Sequence, residues 1–439
     1  MLENKKTKYR MRILFVVWLL YVINYFDKFA VLNLLPFIRK DLNVSHEMIG
    51  FASSLFFFAY TLAQLPSGML ADKFGPKKVM AVAITVFTFF TFLTGIIKTL
   101  PAFIAVRLGL GLGEGFHFVP SVRALSDWFP QKEKGRATSF FTTAWTVAPA
   151  LAPLLIAGVL THGTWRTVFF VLAPMGLVGI VLLWWMMKDS PRLALQHGKH
   201  ISEAEINYIE DGMPIKGAPE KGLLKLIIKD PQLWILTFLV FLKTFVYWGA
   251  ATWITSFLVE QHGFNIQTMG LMASLPFAVG FLSQMSAGLM LDKLTKQRSK
   301  PIILAAFVGL ASVLFFVGLI PKGAVPLLVL VLVLQGYFVV LYDGPLYTYV
   351  QMRYPAKVVG AATGFTQSIG QFGAFVAPSV SGFLVVTHGS TANYAGVFTL
   401  FGIVSIVGAV LTLFLKDGPY QLKPERASGL TAQPQEQRA

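Results

Sequence analysis

Gly68-Met-Leu-Ala-Asp72-Lys73-Phe-Gly75-Pro-Lys77-Lys78 joins two long apolar runs, and a shorter copy, Gly288-Leu-Met-Leu-Asp292-Lys293, returns 220 positions later. Glycine and proline mark a tight turn, and the lysines mark the side of a bilayer on which it lies. A second pair repeats in the same sense. Phe129-Pro130-Gln-Lys132-Glu-Lys-Gly135-Arg-Ala137-Thr138 recurs as Tyr354-Pro355-Ala-Lys357-Val-Val-Gly360-Ala-Ala362-Thr363, 225 positions on. Repeats at matching places in two halves are the mark of a duplicated membrane protein.

Working outward, the chain divides into twelve apolar runs, near 13–38, 47–71, 77–98, 101–128, 137–161, 165–187, 232–259, 267–291, 301–320, 324–352, 358–387 and 393–415. Each is long enough to cross a bilayer as a helix. The composition agrees: 439 residues, 55% hydrophobic and 13% charged, about half the charge of a soluble domain. The expected class is an all-α membrane protein of twelve spans in two pseudo-symmetric six-helix bundles. The expected division is an N-terminal segment 1–12, a bundle 13–187, a linker 188–231, a bundle 232–416 and a disordered tail 417–439, polar and rich in Gln, Pro and Lys. Within the linker, 203–210 reads as a short surface helix.

The net charge of +16 does not point to nucleic acid. Lysine and arginine cluster in alternate gaps, the positive-inside pattern, which places both termini in the cytoplasm. The first apolar run is too long for a signal-peptide core and lacks a small-residue cleavage site, so it reads as a retained helix. The chain has no cysteine, which excludes disulfides, thiolate chemistry and cysteine metal sites. There is no His-Glu-x-x-His, no Gly-x-Ser-x-Gly and no P-loop, so a membrane enzyme or receptor is disfavoured and no cofactor is expected.

The chemistry concentrates in Arg107-Leu-Gly-Leu-Gly-Leu-Gly-Glu114-Gly-Phe-His117-Phe-Val-Pro-Ser-Val-Arg123. Arg107 and Glu114 share a helical face, about 10 Å apart along the axis. Charges at membrane depth are costly and face a polar interior, and the alternate glycines let other helices approach. A base and an acid so placed suggest anion binding coupled to proton movement; a buried structural ion pair is the plainer alternative. His117, one turn on, either relays protons or packs locally.

The Gly68–Lys78 stretch, its copy at Gly288 and the twelve runs resemble the major facilitator superfamily. The resemblance implies two bundles around a central cavity that opens alternately to each side. It makes Gly68, Asp72, Lys73, Gly75, Lys77 and Lys78 elements of a gating loop. A narrower resemblance is to the anion:cation symporter family, which includes sugar-acid/proton symporters, sialin and vesicular glutamate transporters. It rests on Asn24-Tyr-Phe-Asp27-Lys28, Phe56-Phe-Phe-Ala-Tyr60-Thr-Leu-Ala-Gln64-Leu-Pro66-Ser-Gly68, Arg107-xxx-Gly111-xx-Glu114-Gly115 and Arg123-Ala-Leu-Ser-Asp127-Trp128-Phe129-Pro130. It implies that Asp27 and Glu114 take up protons while Lys28, Tyr60 and Arg107 hold a substrate carboxylate. Lys28 stands where that family usually has arginine, replacing a bidentate fork by a point charge. Trp145 stands where sugar-acid members tend to be polar, which speaks against a heavily hydroxylated substrate; with Tyr247 and Trp248 it allows an aromatic or weakly hydroxylated one.

Other polar groups lie within the apolar runs. Lys243, with Tyr247 and Trp248 after it, resembles the basic residue of vesicular glutamate transporters. It either meets a second carboxylate or snorkels, or it pairs with Asp343. Asp343-Gly344-Pro345 breaks the tenth run. Gln367, Ser368 and Gln371 form a polar patch that contacts ligand or bridges helices. The expectation is a proton-coupled symporter that imports a small organic anion, a carboxylate such as a sugar acid, dicarboxylate or aromatic acid. It would act as a monomer in a bacterial inner membrane, with the proton as coupling ion. An exporter of the same fold is the alternative; Val147-Ala148-Pro149 lacks the Gly-Pro motif common in proton-antiport exporters.

Overall fold

The computed structural model describes residues 8–199, 201–211, 225, 227–291, 295, 298–354, 356–388, 391–416 and 418–420. Lys293 and the tail expected to be disordered from 417 lie outside them, apart from 418–420, as do most of 212–226 in the linker.

Six helical spans form each half. Span 1 is Tyr9–Asp41, span 2 His46–Phe74, span 3 Pro76–Thr94 and span 6 Trp165–Met186. Span 4 is two helices, Leu100–Gly115 and Phe118–Trp128, and span 5 is likewise Gln131–Thr142 and Ala144–Leu160. In the second half, span 7 is Pro231–Ser256 continued by a π-helical turn Phe257–Gln261, span 8 Ile266–Leu289, span 9 Lys300–Val317 and span 12 Ala395–Leu413. Span 10 is Val325–Leu341 with Asp343–Arg353, and span 11 is Ala356–Gly370 with Phe372–Gly382. The breaks at Phe116–His117, Thr143, Tyr342 and Gln371 fall at corresponding places in the two halves. Among the described residues ten helical segments are long and apolar enough to cross a membrane, and His46–Phe74, bent within its length, makes an eleventh. The twelfth is span 11, too interrupted for a length criterion. The linker helix appears as Glu203–Glu210. Its buried Glu205 accepts the backbone N–H groups of Tyr9 and Arg10 at 3.0 and 3.1 Å, satisfying donors that the start of span 1 leaves open. A short hairpin, Val386–His388 paired with Thr391–Asn393, joins spans 11 and 12; the apolar run to 387 concealed it.

Packing repeats between halves. Span 1 lies on 5 and 6, span 2 on 4, and span 3 on 4 and 6; span 7 lies on 11 and 12, span 8 on 10, and span 9 on 10 and 12. Two close backbone approaches are images of each other. A side chain at Gly111 would sit 2.3 Å from the Phe56 carbonyl oxygen, and one at Gly336 would sit 2.2 Å from that of Pro276. These positions are 225 and 220 residues apart, the shifts of the sequence repeats. Glycine lets the backbones touch there.

The halves meet through span 2 against 11, span 5 against 8, and span 1 against 7. These contacts gather at the end of the bundle away from the chain termini. Ser379 donates to Ser54 Oγ at 2.8 Å, and Thr255 donates to Asn33 Oδ1 at 2.8 Å. Glu260 draws the end shut: it accepts from Arg39 of span 1 at 2.9 Å, from Tyr394 at 2.6 Å, and lies 2.7 Å from His46 Nε2. Toward the termini the halves part around a cavity of about 810 Å³.

Candidate functional site

The first half buries a polar cluster between spans 1, 2, 3 and 4. Lys28, 1% exposed, pairs with Glu114 across spans 1 and 4 at 3.4 Å. Its ammonium lies 4.3 Å from the Tyr60 ring, 4.4 Å from Tyr25, and 5.6 Å from Phe56 and Trp248. A desolvated cation in such a cage is held by the ring quadrupoles. Arg107 is fully buried, lies 4.2 Å over Phe56 and donates weakly to the Ser53 carbonyl at 3.5 Å. Its Nε and one terminal nitrogen have no hydrogen-bond partner, nor do Glu114's oxygens, Asp27 Oδ1 or the Asn24 amide. Buried polar groups are normally satisfied, so the cluster has spare capacity for an anion or for protons. The structural Arg107–Glu114 ion pair weighed as the plainer alternative is not formed in this structure: Lys28 reaches the carboxylate instead, from another helix. His117 sits in the break of span 4, where its ring stacks on Tyr21 at 5.6 Å and both nitrogens lack partners. Tyr21 in turn accepts a hydrogen bond from Trp145 at 3.0 Å.

The cavity lies between the halves. Its inner end, about 90 Å³, is lined by Tyr25, Trp145, Lys243, Tyr247, Trp248, Gln284, Asp343, Tyr347, Gln367 and Gln371, with Thr146 and Thr244. It widens toward the termini past Phe118, Thr142, Phe281, Gly344 and Gln351. Lys243 and Asp343 form an ion pair across spans 7 and 10, each with 15% of its side chain exposed. Six of the residues expected to bind substrate, Trp145, Lys243, Tyr247, Trp248, Gln367 and Gln371, therefore meet on one surface. Lys28, Tyr60 and Arg107 do not line it. Tyr25 and Trp248 line the cavity's inner end and also lie 4.4 and 5.6 Å from the Lys28 ammonium, so these two rings touch both.

Sequence reasoning did not single out Tyr25, Gln284, Tyr347, Thr146 or Thr244. Gln284 carried a readable signal, an amide inside the apolar run of span 8. Tyr25 and Tyr347 carried none, since aromatic residues are common throughout the chain.

The gating-loop residues lie at the terminal end. Gly75 has φ +86° and caps span 2. Asp189 accepts the Lys77 backbone N–H at 2.8 Å, and the Lys77 ammonium donates to the Trp184 carbonyl at 3.1 Å, tying the loop to span 6. Asp72 accepts from Arg123 at 2.9 Å, tying it to span 4. Gly68 faces Val119 of span 4, while Lys73 lies over the Phe74 ring at 5.1 Å and Lys78 edges an apolar groove with Leu70 and Phe116. Among the described residues no group of three or more His, Asp or Glu side chains is placed to hold a metal ion.

Twelve spans, a two-fold repeat and a polar cavity closed at one end define the architecture of a membrane transporter. The chain belongs to the Major Facilitator Superfamily, whose family profile matches residues 17–378 and again 299–437. It is 29% identical to the probable sulfoacetate transporter of Cupriavidus necator, over 94% of this chain and 95% of that one. It is 28% identical to the probable galactarate/D-glucarate transporter of Escherichia coli, over 94% and 96%. Among solved structures it resembles a bacterial homolog of the human lysosomal transporter Spinster, inward-facing and occupied (TM-score 0.77, 16% identity, 94% and 97% covered). It also resembles the D-xylose-proton symporter (TM-score 0.73, 15% identity, 94% and 99% covered).

Proposed function

We propose that this transporter is a proton-coupled symporter that imports a small organic anion across a bacterial inner membrane, with both termini cytoplasmic. The observation that carries the reading is the buried Lys28–Glu114 pair, touched by the cavity-lining rings of Tyr25 and Trp248, with Asp27 and an under-satisfied Arg107 beside it. Two cations and two acids at membrane depth can exchange partners as protons and an anion come and go. The relatives' names, which speak of sulfoacetate, galactarate and D-glucarate, support an anionic substrate. The lysine and arginine distribution supports the orientation, so the open end of the cavity faces the cytoplasm.

The cycle begins with the cavity open to the outside, where Glu114 and Asp27 take up protons. Neutralising Glu114 releases Lys28, and the Tyr25 and Trp248 rings part. The anion docks on Lys28, Arg107 and Tyr60, which lowers the cost of closing a dry site around charge. Lys243, Gln367 and Gln371 meet its far end from the second half. The carrier rocks, and the Glu260 latch closes behind it. Deprotonation on the cytoplasmic side returns Glu114 to Lys28, the pairing seen here, and the anion is expelled. The protein would act as a monomer within the lipid bilayer, with the proton as coupling ion and no other cofactor. Uptake of radiolabelled sulfoacetate or D-glucarate into liposomes, with and without an imposed proton gradient, tests the reading. Uptake indifferent to the gradient refutes symport.

A further inference from the structure

The inner cavity contains one cation and one anion among its described lining residues, Lys243 and Asp343, and they hold each other. Asp343 opens the second helix of span 10, directly after the break at Tyr342, so the break points its carboxylate across to span 7. Its Oδ1 has no hydrogen-bond partner beyond that ion pair. Among the described lining of the inner end no second charge faces it; Lys134 of span 5 lines the wider part of the cavity, which Asp343 also borders. Tyr247 comes from span 7, Gln284 from span 8, Gln367 and Gln371 from span 11, and Tyr342 and Tyr347 from its own span, while span 9 presents Phe307 against Tyr342. The pair has no counterpart in the first half: positions 225 residues before Asp343 and 220 before Lys243 are Phe118 and Ile23.

An anionic group that enters this pocket finds no free cation. To bind it must take Lys243 from Asp343, which leaves two negative groups sharing one ammonium in a site walled by aromatic rings. Such a site cannot hold an uncompensated charge, and two acids so close share a proton. We propose that Asp343 is a further coupling acid: it takes up a proton from cavity water when the substrate's far anionic group displaces it from Lys243. One O–H bond forms on the Asp343 carboxylate, the proton coming from water in the open cavity, and no bond in the anion changes. Release reverses both steps, so the pair re-forms as the anion leaves. This rests on the organic-anion reading above and adds a proton site in the second half to those of Asp27 and Glu114.

The test is proton uptake on binding, measured on the purified full-length protein by calorimetry in buffers of different ionisation enthalpy. Sulfoacetate and D-glucarate serve as two-charge probes and D-galactonate as a one-charge probe. Asp343→Asn keeps the shape and cannot take the proton. The expected result is one proton fewer per two-charge anion bound in the variant. Its affinity should also weaken less with rising pH, by about tenfold less per pH unit, because one linked proton has been removed. An unchanged proton count in Asp343→Asn overturns the proposal and leaves the anion reading standing. Failure of the wild-type chain to bind any of the three probes overturns that reading, and the proposal with it. If Asp343→Asn does not fold, infrared difference spectra decide the matter on a chain that keeps Asp343. In an Asp27→Asn, Glu114→Gln background, sulfoacetate should raise a protonated-carboxyl band, and no band overturns the proposal.

Discussion

Glu114→Gln separates a coupling acid from a structural one, and the structure sets the size of its effect. Glu114 and Lys28 are buried together at 3.4 Å, and neither Glu114 oxygen has another hydrogen-bond partner. Removing one member of a buried pair costs about 3–5 kcal/mol, because the other is left uncompensated. Lys28 keeps four aromatic rings at 4.3–5.6 Å, and a desolvated cation–π cage is worth about 2 kcal/mol. The cage is kept by wild type and variant alike and partly compensates the ammonium, so the expected loss lies at the low end of that range, about 3 kcal/mol, leaving a folded protein. Lys28 is then permanently free for the anion. Binding should persist, exchange between preloaded vesicles should survive, and uptake driven by a proton gradient should collapse. Thermal unfolding, binding, exchange and driven uptake on this one variant give the four readouts. A purely structural pair predicts that all four fall together. Full gradient-driven accumulation by Glu114→Gln would refute the role of Glu114.

Lys28→Ala and Arg107→Ala should each abolish anion binding and transport, read by binding and uptake on the same preparations; normal binding by both removes them from the site. Lys243→Ala should weaken sulfoacetate and D-glucarate more than D-galactonate, by about tenfold or more for a lost buried charge contact of about 1.5–3 kcal/mol; an equal loss across the three argues for a structural lysine. Because the native chain has no cysteine, Ser54→Cys with Ser379→Cys can be cross-linked alone. The two hydroxyls are 2.8 Å apart, close enough for a disulfide, so oxidation should stop uptake and reduction restore it while binding from the open end persists. Glu260→Gln removes the carboxylate shared by Arg39, His46 and Tyr394, and single-cysteine accessibility at Ser54 should rise as the closed end opens more often.

The fold was legible because it is written in long apolar runs and a repeat. The same shifts that relate the loop motifs also relate Gly111 to Gly336 and Phe56 to Pro276, a backbone-to-backbone helix contact in each half. The Asp343-Gly344-Pro345 break was legible too, since proline cannot continue the ladder. Partner choice was not. Arg107 and Glu114 look paired on one helix, yet seven residues leave them a helical turn too far apart to touch, and Lys28 arrives from span 1 to take the acid. Of the partners weighed for Lys243, the structure shows Asp343; sequence could not choose it, because which side chains of spans 7 and 10 face each other is set by packing. The chemistry is also less repeated than the fold: a shift of 225 puts Leu332 and Val339 where the first half has Arg107 and Glu114. A duplicated scaffold therefore carries different polar groups in each half: Lys28, Arg107 and Glu114 in the first, Lys243 and Asp343 in the second.

The central claim is that anion and proton move together. The direct measurement is a pH indicator sealed in proteoliposomes that hold the wild-type chain, with no gradient imposed and sulfoacetate or D-glucarate added outside. The account predicts acidification of the interior that begins with the anion, saturates with it and is absent in Glu114→Gln. Anion entry without acidification, or with alkalinisation, would contradict it.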